Sequence, residues 1–291
     1  MAVRDAELDV ATDLAPSSAP ASAVRKRLSG WRRWALGLVL PCVLVAVWAA
    51  AGATDQLSSR LLPPPTDVAR SARDFFVGAK RPDIPGVVPF SGAAGMHLSA
   101  SLRRLAVAYA IAVAVGLPLG LGLGLSSWFS AAADPLFQAL RSVPVTAWLP
   151  IALVWFGLGE GAARYLVFVG AVSPIVIATA DSVARVPRPL VDTARMLGTS
   201  RRALARKVYV PAALPGIVTG LRLGLTLGWM SLVVGELTGT DRGLGAMMFA
   251  AREVGRLDEI IVGMAVFAVV GLAGDLLLRA CARPFVKWAD A

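Results

Sequence analysis

Histidine, cysteine and lysine are nearly missing from this 291-residue chain, which has one histidine, two cysteines and four lysines. With His97 alone, a histidine-based metal or catalytic centre has no second imidazole to draw on. Cys42 and Cys281 fall within or at the edge of apolar runs, with neither a metal-ligand spacing nor a disulfide framework between them. Lys26, Lys80, Lys207 and Lys287 follow Arg, Ala, Arg and Val, so no lysine stands in the Gly-Lys context of a phosphate-binding loop. Charged residues make up only 16% of the chain, and no ladder of acids runs through an apolar segment as in a proton relay. No catalytic constellation and no metal site is expected.

Apolar sequence fills the space. Hydrophobic residues are 56% of the chain and mean hydropathy is +0.66, a composition of integral membrane proteins rather than of soluble domains. The net charge of +10 would suit a nucleic-acid binder, but the cations gather at the borders of apolar runs, where anionic lipid headgroups lie. The expected class is all-α and polytopic, with six transmembrane helices.

Residues 1–33 are rich in Ala, Ser, Pro and charge and read as a disordered cytoplasmic tail. A first span at about 34–51 is followed by an external segment to residue 95, in which Pro63-Pro64-Pro65-Thr66 starts an amphipathic helix from Asp67 to about Ala79. That helix places Val68, Ala72, Phe75, Phe76 and Ala79 on one face, with Asp74 mainly elsewhere. The second span begins near Leu98 or Leu105 and ends near Leu125; the third, Pro135 to Leu158, contains Pro144 and Pro150 and is expected to kink. The fourth runs from Arg164 to Ala180 with an interruption at Pro174, the fifth from Leu214 to Leu237, the sixth from Ile260 to Cys281, and residues 283–291 form a second cytoplasmic tail. Gly116, Gly120 and Gly124 in the second span, and Gly216, Gly220, Gly224 and Gly228 in the fifth, recur every four residues, a stripe on which another helix can approach closely. With both termini cytoplasmic, sixteen cations fall in cytoplasmic segments and eleven in external ones, the direction that the positive-inside bias requires.

Few ionisable residues lie within the spans. Glu236 either lines a path or pairs with a nearby cation; Asp275 and Arg279 are spaced for an intrahelical pair; Arg141 and Arg222 are read as snorkelling from near cytoplasmic ends.

The most informative stretch is the basic segment within 185–213, with Arg188, Arg195, Arg201, Arg202, Arg206 and Lys207 against the single acid Asp192 from Pro187 to Ile217. It reads as two short helices. Pro189 suits the first turn of one, Gly198 stops it, Ser200 caps the next, and Pro211 and Pro215 punctuate the return to the membrane. Its Asp192-Thr193-Ala194, Gly198 and Leu214-Pro215 resemble the Glu-Ala-Ala…Gly…Leu-Pro signature of ABC importer permeases, with Asp for Glu and Thr for Ala as conservative departures. The resemblance extends from about Met96 to Ala282, the expected transmembrane core. It includes Arg141-Ser142-Val143-Pro144, Trp155-Phe156-Gly157-Leu158-Gly159-Glu160, Gly220-Leu221-Arg222, Val233-Val234-Gly235-Glu236 and Gly243-Leu244-Gly245. Within that family the chain looks most like the nitrate, taurine and alkanesulfonate group.

The resemblance implies a type I importer fold in the inner membrane and an ATPase-coupling role for Asp192, Thr193, Ala194, Arg195, Gly198, Arg201, Leu214 and Pro215. It also implies a second permease copy, two ATPase subunits carrying ATP and magnesium, and an external substrate-binding protein. The chain itself would be neither an enzyme nor a nucleic-acid binder. A secondary transporter and a non-transporting membrane scaffold are the alternative readings. A secondary transporter would show an internal repeat and midplane ionisable groups.

Overall fold

The computed structural model describes residues 39–40, 42–50, 62–78 and 88–286. Residues 39–40 and 42–50 are helical and belong to a compact unit of their own. The expected first span extends beyond them at both ends, outside the described residues, so the sixth crossing is not among the helices traced here.

The second unit is helical throughout its regular parts. Its elements are α1 (Pro65–Val77), α2 (Ala94–Leu125), α3 (Ser127–Ser142), a 3₁₀ turn (Val145–Trp148), α4 (Leu149–Phe156), α5 (Glu160–Ala184), α6 (Arg188–Met196), α7 (Arg201–Glu236), α8 (Leu244–Glu253) and α9 (Leu257–Val286). Four of them, α2, α5, α7 and α9, are long and apolar enough to cross a bilayer.

The segment between α2 and α5 passes the same test only as a bent pair, α3 with the 3₁₀ turn and α4, whose halves meet at 93°. This corrects the expectation of one kinked span from Pro135 to Leu158. The break falls at Val143-Pro144. Pro144 has no N–H to give, and the residue before it is pushed to extended backbone, here φ −82° and ψ 117°.

Three other boundaries differ from the sequence reading. α2 begins at Ala94. α5 runs unbroken through Pro174, because a helix packed on two sides by others keeps its course despite one lost hydrogen bond. α7 begins at Arg201 rather than Leu214, so the second short helix of the basic segment and the fifth span are one rod. A π turn over Ala205–Tyr209 lies just before Pro211 and absorbs the misfit that would otherwise end the helix.

The core is α5, held between α2 and α7. A Cβ placed on Gly116, Gly120 or Gly124 of α2 would lie 2.9 Å from Ile175, 2.6 Å from the Val176 carbonyl oxygen and 2.6 Å from Val183, all on α5. From the other side, a Cβ on Gly220 or Gly224 of α7 would lie 2.6 Å from Ala178 or 2.7 Å from Ile175, and one on Gly228 would lie 3.2 Å from Ala171. Gly216 faces Ser182 in the same row. Residue numbers rise together along α2 and α5 and run oppositely along α5 and α7, so the first pair is parallel and the second antiparallel. One end of the bundle therefore gathers residues 94, 160, 236 and 257; the other gathers 125, 184, 201 and 286. The bent pair joins the two ends, since Phe129 packs beside Gly122 while Gly159 N–H donates to the Thr238 carbonyl.

α1 starts at Pro65, which takes the first helical position, and not at Asp67 behind a Thr66 cap. Its buried face carries Ser71, Asp74 and Phe75, whereas Phe76 is exposed, so the face is rotated from the one drawn through Val68 and Phe76. Phe75 packs on Phe90 and His97, and Ser71 bonds Asp258 of α9. Ala79 lies outside the described residues.

A leucine at Gly120 has no room against the Val176 carbonyl and Thr179. Overpacking of a tight core costs about 1–3 kcal/mol, so Gly120→Leu is expected to lower the thermal midpoint and the monodisperse yield of the detergent-solubilised protein. Leu223→Ala, at a half-exposed position of α7, is expected to leave both near wild type. Equal melting of the two variants would show that the close approach is not needed.

Candidate functional site

The basic segment is a helix, a tight stop and a second helix start. α6 begins at Arg188 with Pro189 in its first turn. Asp192 and Thr193 point outward; the Thr193 hydroxyl donates to the Pro189 carbonyl at 2.8 Å, and Arg195 stands 3.6 Å from Asp192. Ala194 packs inward with Val191, Leu204 and Val186.

The stop is built on Gly198. Its φ is +75°; its N–H donates to the Arg195 carbonyl at 2.9 Å, and the Thr199 N–H reaches back to the Ala194 carbonyl at 3.2 Å. These are the two bonds of a Schellman helix end, which needs a residue at positive φ in this place. A Cβ on Gly198 would meet nothing within 4 Å, so the demand for glycine comes from backbone conformation alone. Ser200 then caps α7 by accepting from the Ala203 N–H at 3.4 Å. Arg201 is exposed on the first turn, while Leu214 and Pro215 lie half-buried within the rod.

Next to the glycine, Met196 and Leu197 are 88% and 81% exposed. They were absent from the residues singled out in the sequence, although two large apolar side chains directly before the stop of a basic helix were the available signal. The segment thus presents an apolar knuckle in a rim of arginines, at the end of the bundle holding residues 125 and 184.

A second constellation occupies the opposite end. Glu236, at the end of α7, is 1% exposed and accepts from Arg104 Nη1 at 2.7 Å, Ser101 Oγ at 2.7 Å and the Gly245 N–H at 2.8 Å. Arg104 of α2 is itself 3% exposed and spends the rest of its fork on Glu160, the first residue of α5. Glu160 is half-exposed and also takes Arg164 at 2.7 Å. Ser101 accepts from the Leu244 N–H at 2.9 Å. His97 Nδ1 accepts from the Gly243 N–H at 3.1 Å, and its Nε2 donates to the Pro89 carbonyl at 2.6 Å.

One buried network therefore ties α2, α5, α7 and the turn into α8. Gly243 has φ +139°, and a Cβ there would fall 2.5 Å from the Glu236 carboxylate. Of the two readings of Glu236, pairing with a cation is the geometry present, in the buried interior rather than at an exposed interface. Arg104 and His97 were not among the sequence candidates, because their partners are 132 and 146 residues away along the chain.

The other charged candidates separate. Arg141 is exposed on α3, with Gln138 at 3.5 Å. Arg222 does not snorkel: its Nε and Nη2 donate to the two oxygens of Asp275 at 2.8 and 3.0 Å, across α7 and α9. The Asp275–Arg279 pair is present at 3.3 Å, as the second contact of the same carboxylate.

Breaking a buried ion pair costs up to about 3–5 kcal/mol, and without the Glu236 charge the buried Arg104 keeps only its half-exposed partner Glu160. Glu236→Gln is therefore expected to cut the half-life of the purified protein at elevated temperature sharply. Glu160→Gln, at a half-exposed position, is expected to have a much smaller effect. The reverse order would relocate the essential half of the network to Glu160.

A family model described as the binding-protein-dependent transport system inner membrane component matches residues 112–288. The taurine transport system permease protein TauC of Escherichia coli is 35% identical over 258 residues, covering 88% of this chain and 90% of that protein. The nitrate import permease protein NrtB of Synechocystis is 37% identical over 181 residues, 62% of this chain and 66% of that one. An inward-facing structure of the MetNI methionine ABC transporter aligns with a TM-score of 0.53 at 22% identity, over 63% of this chain and 94% of that chain, a likeness of fold. On these matches and on its bundle of apolar helices, the chain belongs to the family of binding-protein-dependent transport system inner membrane components, the multi-pass permease subunits of ABC importers.

Proposed function

We propose that this permease carries a small anion, of the sulfonate, taurine or nitrate class, and that segment 185–213 is the joint through which a separate ATPase subunit drives it. The single observation that carries the coupling reading is the knuckle of Met196, Leu197 and Gly198. Large apolar side chains held exposed beside a fixed helix stop are costly unless a partner covers them. The arginine rim suits an acidic or polar border on that partner. Asp192, Thr193, Ala194, Arg195, Gly198 and Arg201 act as one rigid element. Leu214 and Pro215 lie in the same rod as Arg201, so a push on the knuckle is delivered along α7.

The working assembly is a pair of permeases with two ATPase subunits holding ATP and magnesium, and an external binding protein that delivers the solute. Both termini and the knuckle are cytoplasmic, and the Glu236–Arg104 network is external. Closing of the ATPase pair would shift the knuckle and rock α7 against α5 over the glycine contacts, while the external network holds the far ends of α2, α5 and α7 together. The anion assignment rests on the relatives named for taurine and nitrate, not on the net charge, which is mostly juxtamembrane.

A strained non-glycine backbone at position 198 costs on the order of 1–3 kcal/mol, comparable to a coupling free energy of about 1–3 kcal/mol. Gly198→Val is therefore expected to leave the protein inserted while either releasing the ATPase during purification or lowering solute moved per ATP hydrolysed. Wild-type values of both at equal protein level would remove this joint from the mechanism. For the substrate, competition uptake with taurine, an alkanesulfonate, nitrate, a sugar and an amino acid is expected to show inhibition by one or more of the anions. Inhibition by the sugar alone would overturn the anion assignment.

A further inference from the structure

A face of α7 flanking its glycine stripe is uncovered among the described residues. Thr219, Leu223, Thr226, Leu227 and Met230 are exposed along it, and Arg222 borders it beside Thr219 and Thr226, on the side of α9. Arg222 is 14 residues from Glu236 and 21 from Arg201, or about 21 Å and about 31 Å along the rod at about 1.5 Å per residue. A hydrocarbon core is about 30 Å thick, so this guanidinium lies at membrane depth. Its side chain is 30% exposed and that of its partner Asp275 is 23% exposed.

Three properties of this pair bear on what covers it. Charged side chains at membrane depth face protein or water and not lipid tails. The cluster is also not neutral, for Arg222 and Arg279 share the one carboxylate of Asp275. A guanidinium has five N–H donors, and Arg222 spends Nε and one Nη2 proton on Asp275, leaving three. Starting one turn further along α7, a cavity of about 260 Å³ between α2, α7 and α9 is walled by Leu102, Leu105, Leu225, Thr226, Trp229 and Phe267. A fixed, oriented cation one helical turn from the start of an apolar wall matches an anionic head carrying a short organic chain.

We propose that this face of α7 lines the water-filled path and that Arg222, held in orientation by Asp275, binds the anionic head of the solute in transit. The proposal deepens the anion reading above and rests on it for the identity of the ligand; the placement of the face in water does not. Asp275 is a positioning residue, and Arg222 is the group that touches the solute.

The test uses the permease–ATPase complex in lipid nanodiscs, in a Cys42→Ser, Cys281→Ser background. Thr226→Cys and, on the outward apolar face of α9, Leu277→Cys are each exposed to a sulfonate-bearing and a trimethylammonium-bearing methanethiosulfonate. Thr226→Cys is expected to react with both reagents, and, with each rate taken relative to that reagent's rate with a free thiol, the anionic one is expected to be favoured roughly fivefold or more, as for one nearby unit charge. Leu277→Cys is expected to stay silent, and Arg222→Gln to remove the preference for the anion. A Thr226→Cys as silent as Leu277→Cys would overturn the placement of the face. Equal relative rates for the two reagents, unchanged by Arg222→Gln, would overturn the role of Arg222.

A charge swap then separates transport from structure. Arg222→Asp with Asp275→Arg is expected to restore assembly but not uptake of taurine or nitrate, and uptake restored to the wild-type level would make the pair purely structural. The thiol reactions need no substrate. A wild-type protein that moves no anion yet shows the expected reactivity would defeat the anion reading above and leave the aqueous face standing.

Discussion

Close approach of helix backbones is the constraint on which this bundle depends. Lipid tails are as apolar as leucine, so apolar area alone gives helices no reason to associate within a bilayer, and contact has to come from dispersion at short range. α5 satisfies this on two sides. Gly116, Gly120 and Gly124 of α2 lie against Ile175, Val176, Thr179 and Val183, and Gly220, Gly224 and Gly228 of α7 lie against Ala171, Ile175 and Ala178. The same packing explains why Pro174 does not break α5, since a helix supported on both flanks tolerates a missing internal hydrogen bond. Glycine interfaces also carry no long side chains that must unthread, which suits a joint whose helices have to shift relative to one another.

The two ends of the bundle are built on opposite principles. At one, Arg104, Glu236, Ser101 and His97 are buried and mutually satisfied, and the turn from Gly243 to Gly245 is fastened to them through its backbone N–H groups. Low local dielectric strengthens such a network and makes any gap in it costly. At the other end, α6 and the first turn of α7 pack on the bundle through Val191, Ala194 and Leu204 and end in a Schellman stop beside two large exposed apolar residues. A fastened end and an end with large exposed apolar side chains lie on the same rods, as the coupling role proposed above would need. α7 is continuous from Arg201 to Glu236, and the π turn at Ala205–Tyr209 is its one departure from α-helical geometry.

Much of the architecture was legible in local sequence. Long apolar runs bordered by arginines mark spans; a four-residue glycine period marks a contact face; Gly198 and Ser200 mark a helix end and a helix start. Each is a short-range signal with a direct backbone or solvation cause, and each left its trace within a few residues. Proline was the misleading signal. Pro144, with extended backbone before it, broke a span into two pieces at 93°, whereas Pro174, Pro211 and Pro215 sit inside continuous helices. The ring chemistry is the same in each case; whether neighbouring helices or a π turn re-satisfy the freed carbonyls is a tertiary matter.

By itself the sequence determined membrane residence, the helical class, the glycine stripes and the place of the basic segment with its helix stop, because hydropathy, period and turn chemistry act over one or two turns. The tertiary structure alone decided which charges are partners. Arg104 joins Glu236 across 132 residues and Arg222 joins Asp275 across 53, and no periodicity within a helix encodes a partner on another. It also decided that Met196 and Leu197 are left exposed, since exposure depends on what the rest of the fold fails to cover.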